Sequence, residues 1–197
     1  MKKFQNKYRI PSARLINWDY ANNGAYFITI CTQNKKKLFG DIINNEMCLN
    51  EKGELAQKFW LEIPIHFPFV ELGNFVIMPN HMHGILIINK NAAVFNNYIH
   101  NVETLHCNVS TQNNAIPPHK NEQMSSISPK SGSISAIIRS YKSVVSKNIH
   151  LFHADFSWQS RFHDHIIRDR QSFETIQNYI TNNPLNWNKD KFYGNEK

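Results

Sequence analysis

Apolar residues cluster in short runs in some segments of the chain and recur every three to four residues in others. Residues 26–32 and the run FVIMPNHMHGILII at residues 75–88 are dense in β-branched and aromatic residues, which is typical of strands. Within the second run, Pro79 and Asn80 predict a bend or the start of a strand. A short hairpin is predicted within residues 39–49 and a further strand within residues 162–168.

Helical spacing marks two segments in the middle of the chain. Apolar residues three to four apart, followed by Pro64, predict a helix over residues 51–62. Isoleucine and valine residues with the same spacing predict an amphipathic helix over residues 134–149. The segment between them, at about 90–133, is rich in Asn, Ser and Gln and shows no sustained period. We therefore expect one domain spanning residues 1–197, interrupted by an irregular insertion at about 90–133.

A third helix is predicted near the end of the chain. Its apolar stripe consists of Phe173, Ile176 and Ile180, and Ser172 is a plausible N-cap residue. Pro184 prevents the helical pattern from continuing.

The charge of the chain favours an anionic partner. The 22 lysines and arginines outnumber the 15 aspartates and glutamates, which gives a formal net charge of +7. Such an excess is typical of proteins that bind nucleic acid. Three scattered cysteines and the absence of a membrane-length apolar run predict a cytoplasmic protein with reduced thiols and no membrane partner.

His81 and His83 are the first candidates for chemistry. Side chains two residues apart on a strand point to the same face, so the two imidazoles lie side by side. Such a pair is a natural set of ligands for a divalent metal ion. The alternative is two surface histidines on an edge strand, and the spacing alone leaves both interpretations open.

The last predicted helix offers a tyrosine and an amide. Tyr179 and Asn183 are four residues apart and therefore project from one helical face. If that face meets the histidine strand, Asn183 can complete the metal site and the Tyr179 phenolate can attack a phosphodiester. The alternatives are a packing role for Tyr179 and a simple helix stop at Asn183. Tyr141 is a rival nucleophile, although its position within an apolar stripe favours packing.

Several motifs together resemble a known family. VIMPNHMHG is similar to the histidine–hydrophobic–histidine motif of single-tyrosine HUH transposases, and in particular of the REP-associated tyrosine transposases. The segments GAYFITICTQNKKKLFG, IIRSYKSVVSKNI, WQSRFHDHIIRD and YITNNPLNW occur in the order that this family shows. The resemblance spans most of residues 14–187.

The resemblance implies a fold, an activity and a set of site residues. The implied fold is α+β, a ferredoxin-like antiparallel sheet with helices packed on it. His81, His83 and Asn183 would hold Mg²⁺ or Mn²⁺, and Tyr179 would be the nucleophile. The implied reaction is cleavage of single-stranded DNA beside a hairpin, through a 5′-phosphotyrosine intermediate, by a monomer or a homodimer.

Cationic, aromatic and polar residues elsewhere are candidate contacts for the DNA. Cations can bind the phosphate backbone, and Trp158 together with Phe162 can stack on an unpaired base or form part of the core. The candidates are Arg14, Lys35, Lys36, Lys37, Arg139, Lys142, Trp158, Gln159, Arg161 and His165.

Two other functions compete with a DNA-cleaving enzyme. A protein of the same fold that has lost its chemistry would bind DNA hairpins without cutting them. A metallohydrolase would use His81, His83, His163 and His165 around zinc, although the sequence lacks an HExxH-type helix.

Overall fold

A computed structural model describes residues 14–15, 17–91 and 129–194, together with the backbone of two short paired strands, β1 (Lys3–Phe4) and β2 (Lys7–Tyr8). Most of the insertion predicted at about 90–133 lies outside the described residues. The remaining strands are β3 (Gly24–Cys31), β4 (Gly40–Ile43), β5 (Glu46–Leu49), β6 (Val70–Met78), β7 (His81–Ile88) and β8 (His163–Ile167). The helices are α1 (Glu51–Leu61), α2 (Ile63–His66), α3 (Ile134–Ile149) and α4 (Arg170–Thr181), with 3₁₀ turns at Gln33–Lys35 and Pro184–Lys189.

Four of the strands form one antiparallel sheet in the order β6-β7-β3-β8. Along the chain, its elements follow the order β3, α1, β6, β7, α3, β8, which is the βαββαβ arrangement of a ferredoxin-like fold. The α+β fold predicted from the motifs is therefore confirmed. Strands β4 and β5 form the predicted hairpin beside this sheet.

The alternation of side chains along β3 and β7 divides the sheet into two different faces. Tyr26, Ile28 and Ile30 of β3 are fully buried in the main core, which also contains Trp60 of α1 and Ile137 of α3. On the opposite face, a smaller apolar cluster joins the sheet to α4 through the side chains of Ala25, Phe27, Ile85, Ile87, Ile167, Phe173, Ile176 and Ile180. Helix α4 thus covers the face that carries the odd-numbered residues of β7.

The start of α4 differs from the prediction. Asp169, and not Ser172, is the N-cap residue. The Asp169 carboxylate accepts hydrogen bonds from the Ser172 backbone N–H at 2.7 Å and from its hydroxyl at 2.9 Å. Ser172 therefore lies in the first turn, because the carboxylate three residues earlier satisfies the free N–H groups.

The described helices include none that is both long and apolar enough to cross a membrane.

The tight contact of Gly84 with α1 gives a prediction about stability. A Cβ atom on Gly84 would lie 2.5 Å from Cζ2 of Trp60 and 3.2 Å from Cβ of Phe75. We expect Gly84→Ala to lower the free energy of unfolding by about 1–3 kcal/mol, since the core has no space for the added methyl group. Urea unfolding in a Trp60→Phe background should show a smaller cost, because the ring atom that clashes is then missing. An equal cost in both backgrounds would mean that Trp60 does not impose the constraint.

Candidate metal and nucleophile site

His81 and His83 lie at the beginning of an interior strand. β7 pairs with β6 on one side and with β3 on the other, and both imidazoles have 0% of their surface exposed. Their Nε2 atoms are 3.1 Å apart. The alternative of two surface histidines on an edge strand is therefore wrong.

The hydrogen bonds of the two rings favour metal binding. Asn80 donates through Nδ2 to the Phe192 carbonyl at 3.0 Å, which turns its Oδ1 toward His81 Nδ1 at 2.8 Å. A carbonyl oxygen only accepts, so we infer that His81 carries its proton on Nδ1 and has a bare Nε2. His83 Nδ1 faces the Thr29 hydroxyl oxygen at 2.8 Å, so it also has an acceptor for its proton. Both Nε2 lone pairs can then point at one cation.

Burial keeps the two rings neutral. Desolvation, followed by repulsion from Lys191 and Lys35, lowers the pKa of His81 to about 3. Desolvation also lowers the pKa of His83 well below its ordinary value, with the neighbouring His81 acting in the same direction. Neutral imidazole is the form that binds metal, so protons do not compete for the site near pH 7.

Helix α4 brings Tyr179 to the histidines, which is the arrangement that the resemblance implies. The phenol oxygen lies 3.1 Å from His83 Nε2, while 40% of the tyrosine surface stays exposed. Burial, followed by the charge of Asp190, raises the pKa of Tyr179 to about 12, and hydrogen bonding by Asn183 opposes this shift. The phenol is therefore protonated near neutral pH unless a cation stabilises the phenolate.

Asn183 and Asp190 complete the polar cluster. Asn183 is buried, and its Nδ2 donates to Asp190 Oδ2 at 3.2 Å, while its Oδ1 is buried without a hydrogen-bond partner. His81, His83 and Asp190 can hold a metal ion, since their ligand atoms all lie within 4.8 Å of one another. The sequence reasoning missed Asp190, which follows the last motif and belongs to no periodic element.

The segment after α4 covers this cluster. The ring centroid of Phe192 lies 4.4 Å from that of His81 and 6.1 Å from that of His83. Nζ of Lys35 lies 5.0 Å from the centroid of the Phe192 ring. Lys35, a predicted DNA contact, therefore packs on the segment that covers the histidines. Trp187, which is buried 5.9 Å from His81, anchors the segment.

Tyr141, the rival nucleophile, lies in the main core. Its side chain is 2% exposed, and its hydroxyl donates to the Ala56 carbonyl at 3.0 Å. Burial raises its pKa far above the ordinary tyrosine value. It lies on the α3 side of the sheet, opposite the histidines, so its environment is that of a packing residue.

Several of the predicted DNA contacts have partners within the protein. Arg14 forms an ion pair with Asp164 at 2.9 Å, and its guanidinium lies over Tyr20. Trp158 is buried and donates to the Lys142 carbonyl at 3.2 Å, which favours the core interpretation. Lys142 Nζ donates to the Gln159 carbonyl at 2.6 Å.

The other candidates are accessible. Side chains of Lys36, Lys37, Arg139, Gln159, Arg161 and His165 are exposed. Gln159 and Arg161 line a cavity of about 250 Å³ together with Thr29, His163 and Phe192, next to the histidine pair. Arg139 lies on α3, on the other side of the sheet. Within the part of the chain that the structure describes, His163 and His165 do not join the group able to hold a metal ion, which weakens the four-histidine hydrolase.

The buried histidines give a pH prediction. In EDTA, we expect wild-type stability to fall between pH 7.5 and pH 5, because the unfolded chain protonates its histidines below about pH 6.5 while the folded rings stay neutral. His81 alone should contribute about 2 kcal/mol to this loss. Urea unfolding of wild type and of His81→Gln/His83→Gln at both pH values measures the effect. Equal pH dependence of the two proteins would contradict it.

The Thr29 contact gives a prediction about metal affinity. Thr29→Val removes the acceptor for His83 Nδ1, so calorimetric titration with Mn²⁺ should show a Kd about 10- to 100-fold higher. Thr175→Val is the matched control, since that hydroxyl donates to the Gln171 carbonyl on the surface of α4. Unchanged affinity in Thr29→Val would show that this hydrogen bond does not orient the imidazole.

Comparison with known proteins places the chain in a wider context. No family model matches the sequence. An uncharacterised protein of Haemophilus influenzae (strain Rd) is 40% identical over 187 residues, which cover 92% of each chain. A solved REP-associated tyrosine transposase bound to a REP hairpin aligns with 97% of this chain and 77% of its own, at 17% identity and a TM-score of 0.52. A putative transposase from Deinococcus radiodurans aligns with 89% of this chain and 97% of its own, at 11% identity and a TM-score of 0.40. The chain thus belongs to one family with the Haemophilus influenzae protein and has the fold of a REP-associated tyrosine transposase.

Proposed function

We propose that the protein is a metal-dependent endonuclease and transposase that cleaves and rejoins single-stranded DNA at hairpins. Tyr179 is the proposed nucleophile, and His81, His83 and Asn183 are the proposed ligands of Mg²⁺ or Mn²⁺. The observation that carries the proposal is the 3.1 Å distance between the Tyr179 hydroxyl and His83 Nε2. This contact joins a partly exposed tyrosine to two buried imidazoles, whose Nε2 atoms are close enough to bind one cation.

The side chains fit a divalent cation. The two imidazoles are neutral, and Asn183 Oδ1 lacks a hydrogen-bond partner. Asp190 supplies the carboxylate of the group able to hold a metal ion. Oxygen ligands suit Mg²⁺ and Mn²⁺, and imidazole favours Mn²⁺ of the two. When bound, such a cation would polarise the scissile phosphate and stabilise negative charge in the transition state.

Tyr179 supplies the group that attacks. Its oxygen forms a bond to phosphorus after losing its proton, and the bond from phosphorus to the 3′ oxygen breaks. The leaving 3′ oxygen takes up a proton to give a free 3′-OH, and the 5′ phosphate stays joined to Tyr179. The reverse step, with another 3′-OH as the attacking group, rejoins a strand and frees the tyrosine. The phosphotyrosine bond conserves the energy of the broken linkage, so no external energy source is required.

Two features support a nucleic acid as the substrate. A groove of about 690 Å³ runs along the end of α4, where Tyr179, Asn183 and Asp190 share its wall with Lys189 and Lys191. The smaller cavity beside the histidines exposes Arg161 and Gln159. A phosphodiester lying between these two cavities would have cations on both sides. Hairpin DNA is the proposed partner because the solved transposase of the same fold was bound to a REP hairpin.

A hairpin-binding protein without chemistry is the alternative. It would use the same exposed cations but would not need the Tyr179 hydroxyl. The arrangement of Tyr179, His83 and Asn183 around one point favours the enzyme, since binding alone gives no reason for a protonated phenol beside a bare imidazole nitrogen.

A cleavage assay tests the proposal. A labelled hairpin oligonucleotide, taken from repeats that flank the gene, is incubated with Mn²⁺ or Mg²⁺ and resolved on a denaturing gel. Wild type should give a protein-linked band, and Tyr179→Phe should lose it by at least about 10³-fold, because phenylalanine has no nucleophile.

Tyr141→Phe is the matched control. It should be less stable by about 1 kcal/mol, because the Ala56 carbonyl loses its donor, and yet should still form the covalent product. Loss of the band only in Tyr141→Phe would move the nucleophile and keep the reaction. Tight hairpin binding by all three proteins without any covalent band would establish the binding protein instead.

A further inference from the structure

We infer that Asp190 is a direct ligand of the metal ion, supplied by the segment that follows α4. This inference rests on the metal site of the proposed function and adds to it a residue that the family motifs do not contain. The site would then draw its ligands from strand β7, from Asn183 just after α4, and from the segment of residues 187–193.

The first support is the position of the carboxylate. Asp190 Oδ2 lies 3.2 Å from Asn183 Nδ2 and 3.4 Å from the Tyr179 hydroxyl. Its ligand atom is within 4.8 Å of those of His81 and His83. A single cation placed among these atoms can therefore reach the carboxylate and both imidazoles without rearrangement of the backbone.

The second support is that the carboxylate is held in one orientation. Its Oδ1 accepts a hydrogen bond from the Phe192 backbone N–H at 2.7 Å. The Asp190 N–H donates to the Trp187 carbonyl at 3.0 Å, and the Phe192 carbonyl accepts from Asn80. With Oδ1 engaged by the backbone, Oδ2 is directed toward the histidines. Such support of one oxygen by hydrogen bonds is typical of carboxylates that bind metal.

The third support is the charge of the site. The two imidazoles and the Asn183 amide are neutral, and Lys35 and Lys191 act on His81 with positive charge. A divalent cation at that point would meet repulsion from both lysines unless an anion lies closer. Asp190 supplies that anion, and its hard oxygen suits Mg²⁺ and Mn²⁺ better than imidazole does.

Calorimetric titration with Mn²⁺ alone, without DNA, tests the inference on the full-length protein. Asp190→Asn keeps the size of the side chain and an oxygen for the Phe192 N–H, but removes the charge. We expect its Kd for Mn²⁺ to be at least about tenfold higher than that of wild type. Asp155→Asn, at an exposed position between α3 and β8, is the matched control and should bind Mn²⁺ as wild type does.

A change of ligand separates coordination from a merely structural role. Asp190→Cys should bind Mn²⁺ more weakly and Cd²⁺ more tightly than wild type, because thiolate is a soft ligand. The new thiolate–cadmium bond should add an ultraviolet charge-transfer band beyond the wild-type signal from the native cysteines. A residue that only orients Asn183 and Tyr179 would not reverse the preference between the two metals.

Two results would overturn the inference. One is an unchanged Kd for Mn²⁺ in Asp190→Asn. The other is the same preference between Mn²⁺ and Cd²⁺ in Asp190→Cys as in wild type, a result that counts even if Asp190→Asn folds poorly.

These failures are distinct from failure of the proposed function. Wild type that binds Mn²⁺ through Asp190 but forms no covalent DNA product would contradict the function alone, and cleavage with normal metal binding by Asp190→Asn would contradict the inference alone.

Discussion

Pairing of β7 along both of its edges is the constraint on which the site depends. β3 pairs with this strand without interruption over its whole length, and β6 pairs with it on both sides of an irregularity between Leu72 and Phe75. The odd-numbered residues of β7 therefore face α4, and its even-numbered residues face the main core. A shift of one residue would exchange Met82 with the histidines and would place imidazoles against Trp60. The same register sets Thr29 of β3 directly opposite His83, so the partner of the imidazole comes from the neighbouring strand.

The price of this arrangement is two polar rings in a dry environment. Buried polar groups are tolerated when each has a hydrogen-bond partner, and here Asn80 and Thr29 satisfy the two Nδ1 atoms. With both protons on Nδ1, the two Nε2 lone pairs face each other at 3.1 Å when no ion lies between them. A cation held between them would remove this repulsion, which would link the stability of the fold to the chemistry proposed for it.

Much of this organisation was predictable because it depends on local patterns. The β-branched runs indicated the strands, the three-to-four spacing indicated α1 and α3, and the two-residue spacing placed His81 and His83 on one face. The N-cap of α4 was misassigned because Asp169 and Ser172 are both good capping residues, and their competition is decided by backbone geometry. Asp190 was missed for another reason. A loop carboxylate has no period, and tertiary contacts such as those of Phe192 with Asn80 and His81 bring it to the histidines.

The location of residues 88–91 and 129–130 has a consequence for how the protein can be labelled. β7 begins at the histidines and ends at Ile88, about 23 Å further along for a strand of this length. The described chain stops just beyond that far end and resumes at residue 129, where Lys130 pairs with Asp19. Residues 88–91 and 129–130 are therefore held away from the candidate metal site. The described positions on either side of the break, residues 91 and 129, are thus natural places to attach a fluorophore or an affinity tag.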